Sequence, residues 1–135
     1  MKKIGFIPID NRPVCYDLPK MIAKIDHEVK LYLPPRGLLG SLTKNADRNA
    51  LFEWLEDLNN VDYLVISADT LIYGGLIPSR RSSDTKDEIE KRLLKLRNIL
   101  LKKTDCKTLV FSSIMRISNN NCNEEEKEYW SEFGK

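Results

Sequence analysis

Asp62-Tyr-Leu-Val-Ile-Ser-Ala-Asp-Thr-Leu-Ile-Tyr-Gly-Gly-Leu-Ile-Pro-Ser-Arg-Arg81 is the stretch on which the fold turns. Tyr63-Leu64-Val65-Ile66 is a short continuous apolar run, as a strand buried on both faces requires, and such strands belong to parallel sheets covered by helices. The run, expected to be a strand over 62–68, ends in a carboxylate, Asp69. It then opens into a loop in which Gly74-Gly75 supply backbone freedom that residues with a side chain lack. Arg80 and Arg81 close that loop, and a site is expected there.

Working outward, the same pattern recurs. Residues 3–9 are apolar enough for a buried strand, interrupted by Gly5 and Pro8. Proline has no N–H for a ladder, so either the pairing splays at residue 8 or this strand is less central than the element order implies. Asp10-Asn11-Arg12-Pro13 is a polar loop in which Pro13 drives Arg12 out of helical geometry. A short helix is expected from Leu18, with Asp17 as its cap, Pro19 in its first turn, and Met21, Ile22 and Ile25 as its buried stripe. Residues 28–33 alternate at period two, a strand near the sheet's edge that Pro34-Pro35 terminates. A loop over 36–44 leads to a helix over 46–58 with Leu51, Trp54, Leu55 and Leu58 on one face.

Beyond residue 81, Ser83-Asp84-Thr85 with Glu88 is a capping signature. It opens a helix along Ile89, Leu93, Leu96 and Leu100 that reaches about Lys103. A fourth strand is expected over 108–115, and then a last helix. That helix is capped by the asparagines of 119–123, led by Glu124-Glu125-Glu126, built on Tyr129, Trp130 and Phe133, and stopped at Gly134.

Strand and helix alternate strictly, which implies parallel strands joined by crossovers and an α/β fold. Two architectures accommodate four such units: an open three-layer Rossmann/flavodoxin-like sheet of order 2-1-3-4, or the first half of a (β/α)8 barrel. Half a barrel leaves long unpaired edges and an open core, which favours the open sheet.

The chain of 135 residues has the size of one α/β domain. With 31% charged residues and a formal net charge of +2, basic and acidic groups are interspersed, so no nucleic-acid partner is expected. No apolar stretch is as long as a membrane span or a signal-peptide core, which makes a cytoplasmic protein the simplest expectation. Cys15, Cys106 and Cys122 show no paired metal-ligand spacing and are expected to be reduced thiols.

In both architectures ligands bind beyond the carboxyl ends of the strands. The residues there are Asp10, Asn11 and Arg12; Arg36; Asp69, Tyr73, Gly74, Gly75 and Arg80; and Arg116. In the 2-1-3-4 order the switch point lies between the first and third strands, so Asp10 and Asp69 are expected on the two lips of one crevice. Two carboxylates held close suit general acid and base work, or a divalent cation such as magnesium. The arginines suit an anionic group and the glycine backbone a close approach to it. Neither a Walker loop nor a GxGxxG fingerprint is present. His27 is placed at the opposite end of the sheet, which leaves Cys15 and the serines without an imidazole partner.

Several of these landmarks together carry a resemblance. Ile7-Pro8-Ile9-Asp10-Asn11-Arg12-Pro13, Leu33-Pro34-Pro35-Arg36 with Leu38-Leu39-Gly40, Ser67-Ala68-Asp69 with Tyr73-Gly74-Gly75-Leu76 and Ser79-Arg80, and Ile114-Met115-Arg116-Ile117 with Asn123-Glu124-Glu125-Glu126-Lys127 occur in one order. The chain thereby resembles the amino-terminal part of domain-of-unknown-function family 4127. The family brings no assigned activity with it, but its members are several times longer, so the resemblance implies an amino-terminal fragment whose site is completed by the remainder of the longer chain. The expected activity is that of a hydrolase-type enzyme on a polar, sugar-like or anionic small-molecule ligand, with Asp10 and Asp69 catalytic. The alternative is a non-catalytic module that binds an anion through Gly74-Gly75 and the strand-end arginines.

Overall fold

The computed structural model of the chain describes residues 1–116, 119, 122 and 124–133. The elements are β1 (Lys2–Ile7), α1 (Pro13–Ala23), β2 (Val29–Tyr32), a 3-10 turn (Arg36–Leu38), α2 (Arg48–Asp57), β3 (Tyr63–Ser67), α3 (Ala68–Tyr73), α4 (Leu76–Arg81), α5 (Lys86–Lys102), β4 (Lys107–Phe111) and α6 (Trp130–Phe133). The four strands form one parallel sheet in the order β2-β1-β3-β4. This is the open α/β arrangement; a barrel segment would keep its strands in chain order, with β2 between β1 and β3.

Pro8 is compatible with a central β1 because the strand ends one residue earlier. The last paired position is Ile7 opposite Ile66, so the missing N–H falls outside the ladder.

Alternation along the strands divides the sheet into two faces. Ile7, Leu64 and Ile66 are buried in the core with Leu51, Phe52 and Leu55 of α2, Leu71 and Ile72 of α3, and Leu96 and Ile99 of α5. Gly5 belongs to the same rows, and a Cβ there would come within 2.4 Å of the Leu58 side chain, so α2 closes directly on β1. On the other face Ile4, Phe6, Tyr63 and Val65 are only half-buried, and Leu109 beside Val65 is exposed.

Three helical expectations are corrected. α1 begins at Pro13, five residues before Leu18, because a proline at the first helical position is pre-set for the turn and its absent N–H is not missed there. The extended Arg12 accepts the first bonds, from the N–H groups of Cys15 and Tyr16 at 2.9 Å each. The buried side of α1 is Tyr16, whose hydroxyl donates to the Pro34 carbonyl at 2.8 Å. Met21, Ile22 and Ile25 lie on the opposite side and are exposed. The segment after Asp69 is two short helices and not a loop. Ser67 caps the first through the Thr70 N–H at 3.3 Å, and Gly74, at φ 95°, ends it in the left-handed conformation.

α5 carries the complete capping box of Thr85 and Glu88. Its buried residues are Leu96 and Ile99, whereas Leu93 is exposed. β4 stops at Phe111 and leaves most of its side chains exposed, being an edge strand with one neighbour. α6 is confined to Trp130–Phe133. Asn120, Asn121, Asn123 and Gly134, expected to cap and stop that helix, lie outside the described residues, as does Ile117.

Candidate functional site

Asp10 and Asp69 each stand three residues beyond the directly paired Ile7 and Ile66, at the carboxyl end of the two central strands. Both are buried, at 5% and 4% exposure. Their environments differ, and they share no hydrogen-bond partner among the described residues.

Asp10 folds back onto the start of α1. Its Oδ1 accepts the Arg12 backbone N–H at 3.1 Å, and its Oδ2 accepts Arg12 Nε at 2.8 Å with Nη2 at 2.7 Å. The Cys15 thiol acts on the same carboxylate. Burial alone would push the Asp10 carboxyl up, but the Arg12 side chain, the Arg12 N–H and the thiol together hold it below the ordinary 3.8. The converse applies to Cys15. Burial and the Asp10 carboxylate raise its thiol above 9.0, so it stays protonated and is a poor nucleophile.

Asp69 sits in the first turn of α3 and reaches the other way, toward β4. Its Oδ2 accepts the Ser113 N–H at 2.8 Å and its Oδ1 the Ser112 hydroxyl at 3.4 Å. Ser112 and Ser113 were not singled out in the sequence, although small polar residues immediately after an apolar run are the signal by which they are found.

Backbone contacts stitch the strand-end loops together. Asn11 N–H donates to the Gly40 carbonyl at 3.0 Å, and Ala46 N–H to the Gly74 carbonyl at 2.9 Å. A Cβ on Gly40 would meet the Gly74 oxygen at 2.1 Å. Arg36 Nε donates to the Asn11 carbonyl at 3.0 Å and its guanidinium pairs with Asp17 at 3.0 Å. Arg36 thus fastens the β2 loop to the β1 loop and to α1.

The predicted ligand contacts of the glycine segment are placed otherwise. Gly74 N–H donates to the Thr70 carbonyl and Gly75 N–H to the Asp69 carbonyl, both at 3.1 Å, so these donors close α3. Tyr73 packs half-buried against the core. Arg80 is 12% exposed along its side chain, donates to the Arg116 carbonyl at 2.7 Å, and pairs with Glu125 at 3.3 Å and with Glu126. Beside it is a cavity of about 280 Å³ lined by Arg80, Arg116, Asn119, Cys122 and Glu124 to Glu126. Arg12 keeps 55% of its side chain exposed.

The structure therefore gathers the predicted residues into three neighbouring groups: Asp10 with Arg12, Asn11 and Arg36; Asp69 with the β4 end; and Arg80 with Arg116 and the glutamates. His27 lies exposed beside the start of β2, away from all three. Among the described residues no group of three or more His, Cys, Asp or Glu side chains converges to hold a metal, and no helix is long and apolar enough to cross a membrane.

Comparison with known families matches residues 4–135 to a family described as protein of unknown function, DUF4127. The chain belongs to the DUF4127 family. Neither the curated proteins nor the solved structures contain a match to it. The DUF4127 match spans all three groups of candidate site residues, from Asp10 through the Arg80 cluster.

Proposed function

We propose that the chain is the amino-terminal α/β part of a hydrolase-type enzyme acting on a polar, sugar-like or anionic small molecule at the carboxyl end of the sheet. The observation that supports this most is the pair of buried carboxylates, Asp10 and Asp69, each three residues beyond the last pair, Ile7 and Ile66, that the two central strands form with each other. Ligands of open parallel sheets bind at that end, and hydrolysis of sugar and phosphate compounds uses carboxylates as acid, base or ligands of a hard cation. Asp10 is held ionised by Arg12, the form required of a base or of a ligand to a hard cation. Asp69 retains lone pairs beyond those taken by Ser112 and Ser113. Arg12 is the exposed cation beside Asp10 and Arg80 the sheltered one, so an anionic group on the substrate would meet Arg12 first or exchange places with Glu125 and Glu126 at Arg80. A cytoplasmic setting accords with the unbridged thiols of Cys15 and Cys106.

The alternative, an anion-binding module built on Gly74-Gly75, is disfavoured because both N–H groups are already donated within the chain. The two readings separate in an assay of the intact protein on nitrophenyl glycosides and phosphate esters, with and without magnesium. Turnover reduced by about 100-fold or more in Asp10→Asn and Asp69→Asn supports the enzyme. Saturable binding without turnover across the panel, or turnover indifferent to both substitutions, overturns it.

A further inference from the structure

α1 presents an apolar stripe to solvent. Val14, Leu18, Met21, Ile22 and Ile25 are between 44% and 80% exposed, all on the side of the helix away from the buried Tyr16. Isolated exposed apolar side chains are ordinary, but five on one helix face make a contiguous patch of the kind that marks an interaction surface. Their spacing is specific. Val14, Leu18, Met21 and Ile25 follow one another in steps of four, three and four, the d-a-d-a rhythm of a helix–helix seam. Ile25 lies just past the helix, but its N–H still donates to the Ile22 carbonyl at 3.0 Å, which carries the turn onward.

We infer that α1 is a self-association surface, covered by α1 of a second copy of this chain packed antiparallel across a two-fold axis. In that arrangement Leu18 faces the partner's Met21 and Val14 the partner's Ile25, so the apolar seam meets itself. The flanks decide for this occupant and this direction. Asp17 and Lys24 occupy equivalent positions on one edge of the seam, and the antiparallel pairing brings Asp17 beside the partner's Lys24 twice over, related by the axis. The other edge sets Ile22 beside the partner's Cys15, an apolar contact. A parallel pairing would bring neither charge to its opposite.

Asp17 already shares Arg36 at 3.0 Å within its own chain, with both side chains partly exposed, so the contact to the partner's Lys24 adds to an existing network. Because the stripe points away from Tyr16 and the strand beside it, a second α1 can approach without meeting the first chain's sheet. A helix of this length supplies only the apolar centre of an interface, well below the roughly 800 Å² per partner of a standard complex, which makes the dimer weak and concentration-dependent.

Sedimentation velocity over a concentration series tests this on the whole chain. Wild type should show a reversible monomer–dimer equilibrium in roughly the micromolar range. Met21→Lys, at an exposed position, should weaken it by about 30-fold or more while the circular dichroism spectrum stays unchanged. Lys24→Asp should weaken it about tenfold by setting two acidic groups together, and the double change Asp17→Lys with Lys24→Asp should restore it to within a few-fold of wild type. A monomer throughout the series, a dimer that survives Met21→Lys, or a charge exchange that fails to rescue would overturn the inference. So would a longer form of the protein that is monomeric with α1 protected from hydrogen exchange by its own chain, or binding of the stripe to anionic vesicles in place of a second copy.

Discussion

Thr70 Oγ1 donates a 2.7 Å hydrogen bond to the carbonyl of Pro8, and both residues are buried. The contact joins the first turn of α3 to the residue at which β1 leaves the ladder. A proline there cannot donate, and its carbonyl, past the last ladder pair, finds its partner in a side chain. The two neighbours of this bond, Asp69 and Ile9-Asp10, carry the candidate site. Its strength therefore sets how firmly the two carboxylates are held in relation to one another.

Replacing Thr70 by the isosteric valine removes the donor and leaves the Pro8 carbonyl buried and unsatisfied. The expected loss is about 1–3 kcal/mol, read from urea unfolding, and Thr70→Ser should retain most of it because the hydroxyl survives. A loss no greater for valine than for serine would show that the carbonyl has another partner.

Gly40 and Gly37 lie in the same loop and should respond oppositely. Alanine at 40 drives a Cβ to 2.1 Å from the Gly74 oxygen and 3.0 Å from the Ala46 nitrogen, backbone atoms that must move, at a cost of roughly 1–3 kcal/mol or more. Alanine at 37 meets nothing within 4 Å and should change stability by less than about 0.5 kcal/mol. Paired thermal melts of the two variants measure the contrast, and equal shifts would show that the loop gives way at no cost.

Acid stability should depend on Asp84 and Asp10. Asp84 lies between Arg92 at 2.8 Å and Arg48 at 3.0 Å, and the Arg92 hydrogen bond above all holds it below the ordinary 3.8 against burial. For Asp10 burial opposes the shift and Arg12 prevails. A carboxyl whose folded value lies below its unfolded value binds its proton more readily when unfolded. Its stabilising contribution is thus present above pH 3.8 and lost as the pH falls through the lower folded value. Asp84→Asn should flatten the decline in stability between about pH 5 and pH 2 relative to wild type. An unaltered acid limb in equilibrium unfolding would remove Asp84 from that account.

Cys15 should alkylate slowly, and Asp10→Asn should speed it. The substitution removes the carboxylate that raises the thiol while leaving Arg12, whose charge favours the thiolate. Peptide mass spectrometry after iodoacetamide treatment at pH 8 follows Cys15 alone, and a several-fold rate increase is expected. No increase would mean that burial governs the thiol unaided.

The sheet was legible because its determinants are local and repeated. Apolar runs ending in polar residues place strands and helices between them imply parallel pairing, which puts Asp10 and Asp69 at the carboxyl end, whereas the order β2-β1-β3-β4 was one of two that the pattern allowed. The face of α1 was not legible. Its apolar stripe reads as buried from periodicity alone, whereas the one buried residue, Tyr16, is drawn inward by a hydrogen bond to Pro34 that lies eighteen positions away. The two short helices around the glycine pair were not legible for a related reason. Backbone freedom signals a tight turn or a ligand cradle equally, and the choice was made by Ala46 and by the carbonyls of α3 itself, which take up its polar groups. The partners of Asp69 and Arg80 are likewise long-range; Ser113 is marked only by its place after an apolar run, and no spacing in the chain announces Glu125 and Glu126.

The central position of β1 also bears on how the protein is made. Ile4 pairs on one side with Leu31 and on the other with Tyr63, so β1 remains half-paired until β3 has emerged. At ribosomal rates of about 5–20 residues per second, that leaves β1 with an open edge for roughly three to twelve seconds. β2 can shield its other edge in the interval, and the charges of Lys2 and Lys3 at its head are placed to discourage pairing with another nascent chain.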